Sequence, residues 1–460
     1  MKPHSNWSYD RYRPAIHGDD EIYVCQVIPK TDSIALFWKT DETGEFTVYF
    51  RFKGTAKEWQ TRVTTEKKIV LSDLESETEY EFYVTSAAEH SAVGYARTGY
   101  APGVTVNYLH FDDRKYAFSG QYLCTPSLLK HPDGYLLASM DLYKAQKPQN
   151  LTLIFRSDDN GESWYHYTEL FPCFWGKLFL HNGEVYMLST STEYGDLLIG
   201  KSTDGGKNWR EPTVLFRGSC QFNVPGWHKS AMPVIEHKGR LWTAIDYGSW
   251  VTKTHASALL SVPVGADLLD ADNWSLTDPL PFDPDWKGAV KGDKRGFLEG
   301  NAVVLPDGGI ANMLRYCTDT GTPNRGLIPI LCGDCENPEK QLTFEKFVSF
   351  PGNLSKFDIL YDGESGYYYS IINTVYSEKM LWARNLLSLV RSPDLEKWET
   401  VTDLLDETKV DWKKVAFQYV SFLIDGDDII FLSRTAMNGS ASFHDTNYST
   451  FHRIPNFRKF

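Results

Sequence analysis

Long hydrophobic runs are missing from this chain. No stretch of its 460 residues approaches the ~20 consecutive apolar residues that a membrane-spanning helix requires. The first 20 residues also lack the apolar core of a secretory signal peptide. We therefore expect a cytoplasmic protein that has no membrane partner.

A basic surface is missing as well. The chain has 47 Lys and Arg against 60 Asp and Glu, a net charge of −13, and no run of basic residues. This balance argues against nucleic acid as a partner, because nucleic-acid binding needs clustered positive charge. Nothing in the sequence decides the oligomeric state.

The cysteines do not form a disulfide framework. There are 7, an odd number, mostly in apolar or aromatic contexts, which favours reduced thiols. Cys332 and Cys335 are the only close pair. A lone C-x-x-C motif does not predict a metal site. Whether His228 and His444 bind a metal together with nearby carboxylates stays open. We expect no cofactor.

The chain does contain a two-strand unit that recurs along its length. A short apolar run, a tight turn and a second apolar run appear six times. Such runs joined by Asp-Gly or Asn-Gly turns predict β-hairpins. Six copies predict an all-β fold, a six-bladed β-propeller in which each unit forms the two innermost strands of a blade. The turns lie at Asp133, Asn182, Lys238, Asp307, Asp362 and Asp425.

The region before the repeats has a different sequence pattern. Residues 33–38, 46–52 and 80–84 alternate apolar and polar side chains with a period of two, which predicts short strands. We expect a small β-sandwich over residues 20–103 and the propeller over residues 104–460. With Trp38 on an early strand and Tyr80 at the tyrosine-corner position, the sandwich resembles a fibronectin type III domain. It would serve as a packing or spacer module, with direct sugar binding as the alternative.

The active site is predicted from the ends of the repeated strands. In a propeller the innermost strand begins at the mouth of the central funnel and the next strand ends there. Residues at these positions should therefore crowd one pocket. We call the residues just before or at the start of the innermost strand the openers. They are Tyr122, Thr125, Trp175, Lys177, His228, Lys229, Glu299, Asn301, Ser355, Lys356, Gln418 and Tyr419. We call the residues at the end of the second strand the closers. They are Asp141, Glu193, Tyr194, Asp246, Arg315, Asn373 and Arg434.

These polar positions predict acid–base chemistry. Glu299 lies among apolar and glycine residues, so it is either buried with partners or a carboxyl with a raised pKa. We expect the second, with Glu299 as the general acid or base. Glycoside cleavage typically uses two carboxyls, and Asp141 or Glu193 would be the second. Either of the two could instead pair with a nearby cation. His228 is a further catalytic candidate, although a structural histidine is the alternative.

The remaining candidates would bind substrate. Trp175, Tyr194 and Tyr419 offer aromatic faces for a sugar ring. A lysine at a strand end is often only a solvated charge, but together the polar side chains would hold hydroxyls or an acidic group. These candidates are Lys177, Lys229, Asn301, Arg315, Lys356, Gln418, Arg434 and, from a late loop, His444 and Asp445.

Two segments, residues 157–164 and 202–209, fit the pattern S-x-D-x-G-x-x-W, and residues 392–398 form a shortened relative. With these Asp boxes, the chain from about residue 105 onward resembles the sialidase superfamily, in particular a bacterial sialidase-like group of glycoside hydrolases. The resemblance is carried by residues 149–157, 227–231, 298–301, 355–362, 417–419 and 444–448. It implies a carbohydrate-active enzyme.

The resemblance also indicates what to look for in the pocket. Sialidases hold the sialic acid carboxylate with three arginines and use a Tyr–Glu nucleophile pair with a separate Asp acid/base. Arg315 and Arg434 match two of the arginines, and no third arginine stands at a matching strand end. Tyr361 precedes a turn that should lie away from the mouth. The sequence therefore argues against sialic acid as the substrate.

The leading functional prediction is an exo-acting glycoside hydrolase that trims oligosaccharides. One alternative is a lyase that cleaves uronic-acid glycans by β-elimination, for which His228, Tyr419, Arg315 and Lys356 would be suited. A second alternative is a catalytically silent propeller that binds glycans.

Overall fold

The computed structural model describes residues 7, 21–116, 118–145, 147–221, 224–252, 254–290, 297–316, 326–352, 355–377 and 380–460. Within these ranges the chain forms 32 strands, β1 to β32, and two short 3-10 helices. None of the helices in this part of the chain is long and apolar enough to cross a membrane. The six described cysteines carry free thiols, and Cys317 lies outside the described residues.

The first seven strands form two facing sheets. They are β1 (Tyr23–Pro29), β2 (Ile34–Lys39), β3 (Phe46–Phe52), β4 (Gln60–Thr64), β5 (Lys68–Leu71), β6 (Glu79–Thr85) and β7 (Gly94–Arg97). The sheet orders are β1-β2-β5 and β4-β3-β6-β7. Alternate residues of both sheets, including Trp38, Phe50 and Phe82, fill the space between them. The hydroxyl of Tyr80 accepts a hydrogen bond from the backbone of Glu75 at 2.9 Å, the geometry of a tyrosine corner.

The later strands form six further sheets in the described residues, which we call blades 1 to 6. Blade 1 has β9 (Tyr122–Lys130), β10 (Leu136–Tyr143), β11 (Thr152–Ser157) and β12 (Tyr165–Leu170); blade 2 has β13 (Phe174–His181), β14 (Glu184–Thr190), β15 (Leu197–Lys201) and β16 (Thr213–Phe216). Blade 3 has β17 (Gly226–His228), β18 (Ile235–His237), β19 (Arg240–Ser249), β20 (Thr254–Pro263) and β21 (Ser275–Leu276); blade 4 has β22 (Phe297–Val304), β23 (Ile310–Tyr316), β24 (Leu327–Cys332) and β25 (Thr343–Ser349). Blade 5 has β26 (Ile359–Asp362), β27 (Tyr367–Asn373), β28 (Leu386–Ser392) and β29 (Glu399–Asp406); blade 6 has β30 (Ala416–Asp425), β31 (Asp428–Ala436), β32 (Tyr448–Ile454) and β8 (Val104–Tyr108).

The ring closes between the last blade and the first. Strand β9 of blade 1 contacts both β13 of blade 2 and β30 of blade 6. Strand β8, from the start of this region, completes the sheet made by three strands from the end of the chain. This closure joins distant parts of the sequence, and it confirms the predicted fold class, a β-propeller preceded by a small β-sandwich.

Polar side chains on the innermost strands tie neighbouring blades together. Each lies two residues beyond an opener that the sequence places at the mouth, and each accepts a backbone N–H from the next blade. The bonds are Leu178 N to Ser127 Oγ at 3.0 Å, Ile359 N to Asn301 Oδ1 at 2.9 Å and Leu128 N to Ser421 Oγ at 3.2 Å. These bonds fix the depth of the innermost strands of blades 1, 2 and 5 relative to their neighbours.

The two S-x-D-x-G-x-x-W segments adopt the same turn. In each, the first serine accepts a backbone N–H from the glycine, and the tryptophan ring nitrogen donates to that glycine's carbonyl. The glycine is required at residue 161, where φ is 96° and a Cβ would lie 2.1 Å from Phe451. These turns lie on the outer strands, so they support the blades and not the pocket.

Candidate active site

A cavity of about 300 Å³ lies where the innermost strands begin. Blades 1, 2, 3, 4 and 6 supply its walls with openers or closers of the repeated unit, and neighbouring residues supply the rest. The lining residues are Cys124, Thr125, Tyr143, Ala145, Gln149, Phe174, Trp175, Glu193, His228, Trp250, Glu299, Tyr419, Arg434 and His444.

A β-bulge places the opener of four blades in this cavity. Thr125, Trp175, Glu299 and Tyr419 have φ values of 41°, 54°, 59° and 54°. At each of them the register between the innermost strand and its partner shifts. Left-handed backbone is strained for non-glycine residues, and a bulge re-aims the side chain that it carries. The bulges thus turn these four side chains toward the pocket.

The closers of blades 1, 3 and 5 form hydrogen bonds to the backbone at the start of the innermost strands of blades 2, 4 and 6. Asp141 Oδ2 accepts the backbone N–H of Trp175 at 2.9 Å, and Asp246 Oδ2 accepts that of Glu299 at 2.7 Å. In blade 5, the amide of Asn373 donates to the carbonyl of Phe417 at 2.6 Å. These side chains support the bulged strands from beneath.

This position corrects the catalytic role predicted for Asp141. Its side chain is fully buried and is absent from the cavity wall in the described structure. Burial raises its pKa to about 7, although Thr152 and the Trp175 backbone donate hydrogen bonds to it. The sequence identified a strand-end carboxylate but did not show that it faces the next blade and not the funnel.

The closers of blades 2, 4 and 6 instead contribute charged groups to the site. Arg315 donates to Glu299 Oε2 at 2.8 Å and to the hydroxyl of Tyr419 at 3.2 Å. Tyr419 also hydrogen-bonds to the Glu299 carboxylate. A carboxylate, a phenol and a guanidinium from blades 4 and 6 therefore form one connected group.

The pKa of Glu299 moves in the opposite direction to the prediction. Burial alone would raise it, but Arg315, His228 and the hydrogen bonds from Arg315 and Tyr419 lower it overall. Burial and Glu299 raise the pKa of Tyr419. Glu299 is thus an ionised carboxylate beside a protonated phenol, and a general-acid role for Glu299 is not supported.

Glu193 is the pocket carboxyl whose pKa is raised. It is 8% exposed, and burial outweighs the opposing effects of His228, Trp250 and Gln149. The amide of Gln149 donates to Glu193 Oε2 at 2.9 Å. A buried carboxyl whose pKa is raised holds its proton to higher pH than an ordinary glutamate, which suits a general acid.

A third arginine, which the sequence did not indicate, completes a cationic cluster. Arg384 is 4% exposed, and its guanidinium carbon lies 5.4 Å from the centre of the Tyr419 ring. The corresponding distance for Arg434 is 5.1 Å. Arg384 was missed because it precedes β28, the third strand of blade 5, whereas the prediction covered only the first two strands of each unit.

His228 lies in an aromatic layer on one side of the pocket. Its ring centre is 4.2 Å from that of Trp175 and 5.6 Å from that of Trp250. Its Nδ1 is 3.4 Å from Asp246 Oδ2, the oxygen that also holds the backbone of Glu299. His228 thereby connects the Glu299 bulge to the aromatic wall.

His444 lies on the opposite side of the pocket. Its Nδ1 is 3.0 Å from Asp445 Oδ1, its ring centre is 5.2 Å from that of Tyr143, and its carbonyl accepts a hydrogen bond from Arg434. The late loop therefore reaches the same pocket as the inner strands, and Asp445 acts on it through His444.

Several predicted binding residues support the pocket without lining it. Tyr194 is fully buried, and its hydroxyl accepts the backbone N–H of Trp250 at 2.7 Å. The Asn301 amide bridges blades 4 and 5, and Gln418 lies between Arg384 and the carbonyl of Phe443. These three residues are corrections, because their polar atoms are used within the fold.

The three predicted lysines also lie below the pocket. Lys177, Lys229 and Lys356 are buried inside the ring and are not among the lining residues. Conversely, Tyr143, Gln149 and Trp250 line the pocket but were not predicted, because they lie in connections beyond the ends of the strands or at a strand's last residue. Among the described residues, no group of His, Cys, Asp and Glu is arranged to hold a metal ion.

Comparisons with known proteins agree with this architecture. The sequence matches no protein-family profile, and no curated protein is significantly similar to it. Among solved structures, α-L-arabinanase from Penicillium chrysogenum, complexed with arabinobiose, is 15% identical with a TM-score of 0.50, over 78% of this chain and 98% of that one. An α-L-arabinofuranosidase from Fusarium graminearum, in complex with an iminosugar inhibitor, is 13% identical with a TM-score of 0.52, over 76% and 97%. At these identities the similarity establishes the fold.

Proposed function

We propose that this protein is an exo-acting glycoside hydrolase that releases a terminal sugar bearing a carboxylate. The observation that carries the proposal is the convergence of Arg315, Arg384 and Arg434 on Tyr419, beside the Glu299 carboxylate. The pocket, at about 300 Å³, is at the small end of ligand sites, which suits one sugar ring.

Tyr419 and Glu299 are suited to act together as the nucleophile. The phenol is hydrogen-bonded to a carboxylate whose pKa is lowered, so Glu299 is ionised and can accept the phenolic proton as Tyr419 Oη attacks the anomeric carbon. The raised pKa of Tyr419 makes such a base necessary. The pair is similar to the Tyr–Glu nucleophile of sialidases, which supports this assignment.

Glu193 is suited to protonate the leaving group. It lines the same cavity as Glu299 and Tyr419, and burial raises its pKa. The two carboxyls thus have pKa values shifted in opposite directions, which separates an acid from a base within one site. Glu193 takes the acid role that sialidases give to an aspartate.

The arginines are suited to bind the carboxylate of the substrate. Arg434 lines the cavity, is 4% exposed and forms no ion pair with any described carboxylate. The guanidinium carbon of Arg384 lies 5.4 Å from the centre of the Tyr419 ring. Guanidinium groups form strong, oriented hydrogen bonds to carboxylates. The expectation against sialic acid rested on a missing third arginine and on Tyr361 lying away from the mouth. Arg384 supplies a third arginine and Tyr419 supplies a tyrosine in the pocket, which returns that sugar to the candidates.

A lyase acting on uronic-acid glycans is the second candidate. The hydrogen bond between Arg315 and Tyr419 favours it, because a tyrosine at this place could remove a proton next to a carboxylate that the arginine binds. The raised pKa of Tyr419 favours hydrolysis, since a lyase would use the phenolate as its base.

The N-terminal sandwich is proposed to be a fibronectin type III-like spacer. Gln26 of β1 donates to the carbonyls of Val106 and Trp164, at 2.7 and 3.0 Å. These two bonds join the sandwich to blades 6 and 1, and neither partner lines the pocket, which supports a packing role.

The test is a panel of purified aryl glycosides and short oligosaccharides that end in sialic, uronic or neutral sugars, with Glu299→Gln alongside. We expect release of one acidic monosaccharide, lost in the variant, with no change in near-ultraviolet absorbance. A rise in that absorbance would indicate the double bond formed by a lyase. Release of neutral sugars alone would contradict the role of the arginines.

A further inference from the structure

Three lysine side chains meet inside the propeller, below the pocket. Lys177 belongs to β13 of blade 2, Lys229 lies between β17 and β18 of blade 3, and Lys356 precedes β26 of blade 5. Their exposed fractions are 6%, 0% and 2%. Lys177 Nζ is 3.5 Å from Ser421 Oγ of blade 6. Because blades 2 and 6 are not neighbours, this side chain reaches across the interior of the ring.

Carboxylates offset only part of this positive charge. Lys356 pairs with Asp358 at 2.5 Å, and Asp358 also interacts electrostatically with the other two lysines. Asp246 interacts with Lys229 as well, but it is engaged by the Glu299 backbone and by His228. Among the described residues, the cluster therefore holds three lysines against one carboxylate that is not shared with the active site.

The three ammonium groups also have N–H donors that lack an acceptor in the described structure. Each carries three N–H groups. In the described structure Lys177 donates only to Ser421, and Lys229 donates only to Thr243 Oγ1, at 3.1 Å. Lys356 donates to Asp358 and to the carbonyl of Val420. Burying an ammonium group without a counter-charge is costly, so a bound acceptor of negative charge would stabilise this arrangement.

The pKa values of the lysines express this cost. Burial lowers that of Lys177 to about 8, and burial together with Lys177 and Lys356 lowers that of Lys229 to about 7. An anion between the side chains would raise both values again and fill the remaining donors. A monoatomic anion suits the cluster best, because it accepts hydrogen bonds from several directions without an orientation of its own.

We propose that Lys177, Lys229 and Lys356 form a binding site for a small inorganic anion of the halide class inside the propeller, beneath the active site. The bound ion would connect blades 2, 3 and 5, from which the three lysines come. This proposal does not depend on the reaction that the pocket catalyses.

Thermal unfolding of the full chain would test it at constant ionic strength, with sodium chloride replacing sodium gluconate. We expect the unfolding midpoint to rise with chloride concentration as for a ligand that binds only the folded state. The rise should disappear in Lys229→Met and Lys177→Met. Lys346→Met, which removes an exposed lysine paired with Glu396, should retain it.

Diffraction from wild-type crystals grown in sodium bromide gives an independent readout. An anomalous peak within hydrogen-bonding distance of the Lys177 and Lys229 ammonium groups would support the site even if both variants fail to fold. Equal stabilisation by chloride and gluconate, or bromide peaks only at the surface, would mean an adventitious ion only and would overturn the proposal.

Discussion

Asp246 Oδ2 accepts the backbone N–H of Glu299 at 2.7 Å and lies 3.4 Å from Nδ1 of His228. One buried carboxylate of blade 3 therefore sets both the bulge that carries Glu299 and the position of a histidine in the pocket wall. Burial raises the pKa of Asp246, and His228 and the hydrogen bond from the Glu299 backbone oppose that rise, whereas the Glu299 charge adds to it.

Asp246→Ala should lose stability and activity together. The buried N–H of Glu299 would lack its acceptor, which costs roughly 1–3 kcal/mol. Asp246→Asn keeps an oxygen acceptor, so we expect it to recover most of the stability and part of kcat. Urea unfolding and kcat per folded molecule measure the two effects. Equal kcat losses in both variants would show that the charge of Asp246, and not its acceptor, is what matters.

Glu299→Gln should reduce kcat by about 10²–10⁴-fold, the range of general acid–base contributions. Tyr419→Phe, which removes the nucleophile, should reduce it at least as much. Because the two groups act as a unit, the double variant should lose little more than the worse single one. Stopped assays of sugar release measure this. Glu396→Gln, an exposed carboxylate paired with Lys346, is the matched control and should be unchanged. Multiplicative losses would contradict a shared step.

The pH profile of kcat/KM should be bell-shaped. Glu299 must be ionised, so activity is lost as the pH falls through its lowered pKa. Glu193 must be protonated, so activity is lost as the pH rises through its raised pKa. In Glu193→Gln the alkaline limb should disappear. An aryl substrate whose leaving group needs no proton should be hydrolysed at near wild-type rates by this variant, whereas an equal loss on all substrates would exclude the acid role.

Arg434→Met should weaken binding of acidic substrates. A hydrogen bond between charged groups is worth about 1.5–3 kcal/mol, so KM should rise by roughly 10- to 100-fold. The methyl ester of the same substrate, which has no carboxylate charge, should show little change. Arg391→Met, which removes a half-buried arginine paired with Glu399 outside the pocket, serves as the control. A similar rise in KM for the ester would mean that Arg434 contributes packing contacts and does not bind the carboxylate.

Asp141→Asn should affect stability more than chemistry. Asparagine replaces one acceptor oxygen with an amide donor, so either Thr152 or the Trp175 backbone loses its partner, at a cost of roughly 1–3 kcal/mol. We expect a lower unfolding midpoint and a retained pH profile. A loss of kcat as deep as that of Glu299→Gln, with normal stability, would restore the catalytic role that the sequence predicted.

The sequence by itself determined the repeated hairpins and the openers of the pocket. Apolar alternation and Gly-containing turns are local signals, so they locate strand ends without knowledge of the fold. Trp175, Glu299 and Tyr419 were found in this way, and all three line the cavity. Arg434 and Glu193 were found at the other end of the hairpins for the same reason.

Only the tertiary structure decided what these groups do. The lowered pKa of Glu299 depends on Arg315 and Tyr419, and the latter comes from a different blade more than 100 residues away. Arg384 enters from a third strand, and Asp141 turns toward the next blade. Electrostatic interactions depend on distance through space, and the closure of the ring sets those distances. The pattern along the chain therefore identified part of the site, and the packing of the blades added residues such as Arg384 and assigned the charge states and partners.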